Sequence, residues 1–204
     1  SAYGLDTVPQ TGTGETLAIF TLAGYSQSDV NSYASTFGLP APSLENVLVD
    51  GVDGSAGSGA EETTLDIELA SAVAPGLSKI LVYQGPNTEA GVLHTYSKIA
   101  NDNRASVVSV SWGLSEDLSG SAFISAENTI FQQMAAQGQS IFVASGDAGA
   151  FDDSTHPQTL SVDDPATQPY VTAVGGTTLF LTTANTYRAE SSWGSNGEIG
   201  RAHV

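Results

Sequence analysis

Five short, nearly continuous apolar runs punctuate the chain: residues 16–22 (TLAIFTL), 46–50 (NVLVD), 79–84 (KILVYQ), 106–112 (SVVSVSW) and 140–145 (SIFVAS). A strand that shows one face to water alternates apolar and polar residues, so runs of this kind mark strands covered on both faces. Between them lie 27–37, 61–74, 88–102 and 121–137, each long enough for a helix, and the last carries Phe123, Ile130, Phe131 and Met134 at spaced positions. Strand and helix in repeated alternation give an α/β fold with a mostly parallel sheet and helices on both faces. In such sheets chemistry gathers at the carboxyl ends of strands and at the helix starts that follow. A length of 204 residues suits one domain, in which the Gly/Ser-rich stretch 51–60 (GVDGSAGSGA) reads as a loop.

Charge narrows the partners. With 22 Asp and Glu against 5 Lys and Arg, the formal net charge is −17 and the pI about 4.1, which argues against nucleic acid or an anionic membrane. Such acidity serves solubility, or equally a working pH low enough to neutralise many of the acids. Cysteine is absent, so neither a disulfide framework nor a thiolate metal site is expected. No run of 18 apolar residues exists to span a bilayer, and Ser1-Ala2-Tyr3 does not begin a signal peptide, so an exported protein would be represented here in processed form.

Within 61–74 (EETTLDIELASAVA), Glu62 and Asp66 stand four residues apart, on one helical face, with Leu65, Leu69 and Ala72 expected toward the core. Like charges at this spacing destabilise a helix by about 0.2–0.5 kcal/mol. They are either solvated acids, with the first turn favoured by the helix dipole, or a pair sharing a proton in which one member serves as a general base. Two strand ends add candidates. VSVSWG closes on Ser111, Trp112 and Gly113, and FVASGDAGA carries Asp147 between Gly146 and Gly149. An acid at the carboxyl end of a strand stands where parallel-sheet enzymes keep catalytic groups, although an Asx turn would also place it there.

Taken together, GAEETTLDIELASAVAPG followed by KILVY, then VVSVSWG, AQGQSIFVASGDAGA, and PYVTAVGGTTLFLTT with ESSW resemble the sedolisin family of serine-carboxyl peptidases, whose fold is similar to subtilisin's. The match runs in order from about Thr16 to Trp193. The resemblance implies that Glu62 is the general base, that Asp66 holds and polarises it, and that Asp147 supplies the oxyanion-hole carboxyl. It places Ser111, Trp112 and Gly113 on the strand that pairs with substrate backbone. A carboxyl donates to a developing oxyanion only while protonated, and a glutamate base works best near its own pKa, so both roles imply acid operation. The implied substrate is a peptide or protein, and the implied location is extracellular or another acidic compartment.

The family's nucleophile lies in a Gly-Thr-Ser motif, which this chain lacks. Gly175-Gly176-Thr177-Thr178 belongs to a separate strand motif and offers no substitute. The resemblance therefore implies that the fold is incomplete here, with the serine, and the family's calcium site after it, beyond residue 204. A second chain carrying the serine is the expected partner, and no metal site is expected within these residues. Some relatives carry a supporting Glu on the first strand, where this chain has Thr21. A histidine triad would need His94, His156 or His203 beside an activated serine, and no G-x-S-x-G occurs; a metallohydrolase would have only Asp152, Asp153 and His156, in a loop. The alternatives are a tripeptidyl peptidase of the same family and a non-catalytic acidic binding relative.

Overall fold

Elements follow the apolar runs closely. The computed structural model describes residues 2–153 and 155–193, and in chain order these form β1 (Thr16–Thr21), α1 (Gln27–Phe37), β2 (Leu44–Leu48), α2 (Ala60–Val73), β3 (Lys79–Gln84), α3 (Glu89–Asp102) and β4 (Val107–Val110). They continue with β5 (Leu114–Ser115), α4 (Glu116–Ser119), α5 (Ser121–Ala136), β6 (Ser140–Ala144), β7 (Asp163–Asp164), β8 (Thr172–Val174), β9 (Thr177–Leu181) and β10 (Tyr187–Ser192). Two compact units result. The larger holds Gln10–Trp112 and Thr129–Ile141; the smaller holds, of the described residues, those before Gln10, Gly113–Asn128 and those from Phe142 to Trp193.

In the larger unit the strands run parallel in the order β2, β3, β1, β4, with Thr16 opposite Lys79, Leu44 opposite Ile80 and Leu17 opposite Val107. The N–H of Ser140, at the start of β6, donates to Ser106 O at 2.8 Å just ahead of β4. Side chains alternate across a strand, so Ile19 and Phe20 of β1 enter opposite layers. Ile19 packs with Val30 of α1, Ile67 of α2, and Ile80 and Val82 of β3. Phe20 stacks on Tyr96 of α3 at 4.0 Å between ring centroids, and Tyr96 meets Phe131 of α5 edge-on at 4.9 Å. Helices therefore cover both faces, which is why the strands lack polar alternation.

Local signals set the ends. Ser26 accepts from the Asp29 N–H at the start of α1, Thr88 from the Gly91 N–H at the start of α3, and Gly38 closes α1 in the left-handed region. Strand β2 lies two residues ahead of the expected 46–50, because Asp50 and Gly51 take φ of 53° and 77° and turn the chain out of extended pairing. A second correction concerns α2. Leu65 and Leu69 point outward at 46% and 49% exposure, and Ala72 is only half-buried, whereas Thr63, Ile67 and Ser71 form the buried face. Small hydroxyl residues can line a core when their O–H groups are satisfied locally. Ser71 Oγ donates to Ile67 O at 2.6 Å, and Thr63 Oγ1 lies 2.6 Å from Thr21 Oγ1.

The smaller unit is built from short ladders. Phe142–Ala144 pair in parallel with β8; β5 and β7 pair antiparallel through Leu114–Asp164 and Ser115–Asp163; β9 and β10 form an antiparallel hairpin. The GGTT stretch thus leads into β9, as the sequence suggested.

Candidate active site

Helix α2 carries the first acids. It starts at Gly59, whose φ of +87° and close approach to a ring both exclude a side chain: a Cβ there would lie 2.6 Å from Trp112 Cη2. Trp112 thus packs on the helix start just past the carboxyl end of β4. Ser111, one residue earlier, donates from Oγ to Asp66 Oδ1 at 2.7 Å. Asp66 Oδ2 is buried and meets no donor among the described residues. Burial raises the Asp66 carboxyl to about 6; the Ser111 hydrogen bond restrains that rise, and the nearby Glu62 charge adds to it. Glu62, one turn back, is half-buried, and its link to Asp66 is electrostatic; among the described residues the hydrogen bond that Asp66 accepts comes from Ser111. Beneath them the Thr21–Thr63 hydroxyl pair is fully buried, and Thr63 Oγ1 also donates to Ala23 O at 3.2 Å. Polar support at Thr21 therefore comes from a hydroxyl in this chain.

Asp147 belongs to the smaller unit, in the turn that leaves β6. Ser145 N–H donates to Val174 O at 3.0 Å, which ties the strand end to β8. The turn then closes on one acid: Asp147 N–H and Ala148 N–H both donate to Asp152 Oδ1, at 3.1 and 3.0 Å. Gly146, at φ +96°, allows this closure, because a Cβ there would stand 2.7 Å from Asp152 Cγ. Asp152 is hydrogen-bonded in turn to Asp163 of β7. Burial raises the Asp163 carboxyl to about 8, with the Asp152 hydrogen bond and the charges of Asp152, Asp147 and Asp164 adding to it. Gly113 is the close neighbour of Asp163, whose Oδ2 lies 3.0 Å from a Cβ built there.

A second pair lies behind β7. Glu127 of α5 and Asp164 are 1% and 2% exposed. Burial, then the hydrogen bond and charge of Asp164, raise the Glu127 carboxyl to about 10. Gln168 Nε2 donates to Asp164 Oδ1 at 2.8 Å and to Ile124 O at 3.1 Å, and Asn128 Nδ2 donates to Gln168 Oε1 at 2.9 Å. A cavity of about 380 Å³ opens beside Gly146 and Asp163, lined also by Glu116, Thr177 and Trp193.

The structure thus groups Glu62, Asp66, Ser111 and Trp112 in the larger unit, and Asp147 with Gly113 in the smaller. Sequence reasoning missed Gly59, Thr63 and the acids behind Asp147. Asp152 drew attention only as metal crowding, and the Asp-Asp pair at 163–164 was the one unused signal. His94 pairs with Asp50 and His156 with Asp153, both rings being exposed, while His203 lies outside the described residues. Among the described residues no group of three or more His, Cys, Asp or Glu could hold a metal ion, and the implied calcium site is expected beyond them, after residue 204. No helix among them is long and apolar enough to cross a membrane.

Residues 52–200 match the subtilase family, well over half the chain. The chain belongs to that family, and within it to the sedolisin family. Kumamolisin from Bacillus sp. (strain MN-32) is 38% identical over 196 residues, covering 93% of this chain and 35% of its own. Tripeptidyl-peptidase 1 of Dictyostelium discoideum is 30% identical over 170 residues, covering 81% of this chain and 27% of its own. The solved structure of Pseudomonas sedolisin, a serine-carboxyl proteinase complexed with two molecules of pseudo-iodotyrostatin, superposes with a TM-score of 0.84 at 30% identity, over 96% of this chain and 58% of that one. The chain spans about a third of the length of the curated relatives it matches.

Proposed function

We propose that these residues form part of an acid-acting serine-carboxyl peptidase that cleaves peptides or proteins. The nucleophilic serine comes from sequence beyond residue 204, on a continuing or a second chain. The observation that carries the proposal is Asp66: a carboxyl in hydrogen bond with Ser111, with one oxygen buried and unpartnered and with Glu62 one turn away. A group raised to about 6 keeps its proton in a mildly acidic medium, so Asp66 is then neutral beside Glu62. That leaves Glu62 free to act as the base.

Glu62 takes the hydroxyl proton as the serine oxygen bonds to the scissile carbonyl carbon. Asp147, protonated, donates a hydrogen bond to the carbonyl oxygen as it gains charge. When the C–N bond breaks, the proton held by Glu62 passes to the departing amine, and water repeats the sequence to release the acid product. An acidic extracellular medium or an acidic compartment suits these protonation states and the net charge of −17. Tripeptide removal, the activity named for the Dictyostelium relative, differs from internal cleavage in how the substrate's amino end is held.

The test is a pH–rate profile of the full-length protein with a peptide substrate. The optimum should lie well below neutrality, and Glu62→Gln should lower turnover by about 10²–10⁴ at every pH. Asp147→Asn keeps a hydrogen-bond donor in place of the carboxyl, so it should lose turnover but retain part of it. An optimum near pH 8, or undiminished turnover in Glu62→Gln, overturns the proposal.

A further inference from the structure

We propose that Asp152 is the positioning residue for the Asp147 turn, and that Asp163 holds Asp152 in place by sharing a carboxyl proton with it. The inference rests on Asp147 being the oxyanion donor. An oxyanion donor works only if its carboxyl is fixed where charge develops, and a turn of Gly and Ala has little of its own to fix it. Here one carboxylate oxygen gathers two consecutive N–H groups, those of Asp147 and Ala148, and the backbone of Gly146 lies against the Asp152 carboxyl. Two charge-assisted hydrogen bonds converge on one atom, which fixes the direction in which the turn presents Asp147.

Asp152 is held in turn. Carboxylate oxygens only accept, so the hydrogen bond that joins Asp163 to Asp152 runs through a carboxyl proton, and among the described residues the buried Asp163 Oδ1 has no other partner. Asp163 belongs to β7, which is paired to β5 and therefore does not move with the turn. The groups facing it are Asp152 and Asp147 from the loop after β6 and Asp164 on its own strand, and Asp164 faces Glu127 of α5; all are acids. Once Asp163 ionises, two carboxylates face each other where one proton had joined them, and the anchor of the turn is lost. The carboxyl raised to about 8 sets where this happens.

Two measurements on the full-length protein test the assignment. The first is kcat and KM with a peptide substrate for Asp152→Ala and Asp152→Asn. Loss of both N–H acceptors in Asp152→Ala should lower kcat about 10-fold or more with little change in KM, and Asp152→Asn, which keeps an acceptor oxygen, should recover part of it. The second is amide hydrogen exchange at Asp147 and Ala148, corrected for intrinsic rate. Protection should fall about 10-fold in Asp152→Ala at pH 4, fall in the wild type as pH passes about 8, and persist there in Asp163→Asn, whose amide still donates to Asp152. Wild-type kcat and protection in Asp152→Ala would overturn the assignment, as would equal loss of protection above pH 8 in wild type and Asp163→Asn. If Glu62→Gln and Asp147→Asn both keep full turnover, the peptidase proposal fails instead, and hydrogen exchange still decides whether Asp152 holds the turn.

Discussion

On α2, Asp66 leaves water in the company of a hydroxyl; in the smaller unit, Asp163 and Glu127 leave it in the company of other carboxyls. The chemistry of the three side chains is the same, but their protonation is not. Ser111 donates to Asp66 and so favours its ionised form, which limits the rise to about 6. Glu127 and Asp163 face acids that can only accept unless one partner is protonated, and they rise to about 10 and about 8. A neighbour that donates leaves a carboxyl able to change charge in acid. A neighbour that must receive keeps it neutral well past pH 7, as a hydrogen-bond donor rather than a base. In one chain the first arrangement leaves a carboxyl that can titrate in acid and the second a carboxyl held neutral.

Breaking the structural pair gives the largest effect on stability. Glu127→Ala opens a cavity and strips Asp164 of its carboxyl partner, leaving it Gln168, which should cost about 3 kcal/mol in thermal unfolding of the full-length protein at pH 4. The pH dependence sharpens the comparison. Glu127 has a folded pKa raised above its unfolded value near 4.5, so the unfolded chain releases the proton first as pH rises. The stabilisation is fully present below about 4.5 and is lost progressively toward about 10, with Asp163 adding a loss that ends near 8. Glu127→Gln keeps a donor to Asp164 and cannot ionise, so its melting temperature should fall less than the wild type's between pH 5 and 9. Parallel curves for the two proteins would show that this pair does not control alkaline stability.

The difference between the two regions also explains what could be read from sequence. Uninterrupted apolar runs such as KILVYQ announce buried parallel strands, and β3 lies where that run does. Glu62 and Asp66 were visible because helical spacing is a local property. The inward face of α2 was not: by apolarity Leu65 and Leu69 outrank Thr63 and Ser71, and only the bonds Thr63–Thr21 and Ser71–Ile67 make the hydroxyls suitable for the core. Asp152 and Asp163 lie eleven positions apart and are joined by a proton, which leaves no periodic trace.

A smaller effect tests the hydroxyl on α2. Ser111→Ala removes the donor that Asp66 has among the described residues, so its carboxyl should rise further above about 6. A hydrogen bond to a charged group contributes about 1.5–3 kcal/mol, and a shift of about one pKa unit is the expected scale. Carboxyl-carbon NMR of Asp66 across pH 3 to 9 reads this directly. An unchanged midpoint would mean that burial alone sets Asp66, and the contrast with the smaller unit would lose its cause.

The smallest effect concerns the layer beneath. Thr63→Val is close in shape and replaces one of two fully buried hydroxyls that bond each other at 2.6 Å. Thr21 Oγ1 would keep a weaker partner, Ala23 O at 3.3 Å, so the cost should be that of one neutral hydrogen bond, about 1 kcal/mol, without an unpaired buried group. Neither hydroxyl titrates near the working pH, so the loss in melting temperature should be the same at pH 4 and pH 7, unlike that of Glu127→Ala. The helix keeps Ile67 in the core and Gly59 against Trp112, so Glu62 and Asp66 stay where they were and kcat should change less than twofold. If Thr63→Val instead moved the acid limb of the pH–rate profile, the hydroxyl pair would belong to the proton-sharing system of Asp66, and the division between a titrating surface on α2 and an inert layer below it would fail.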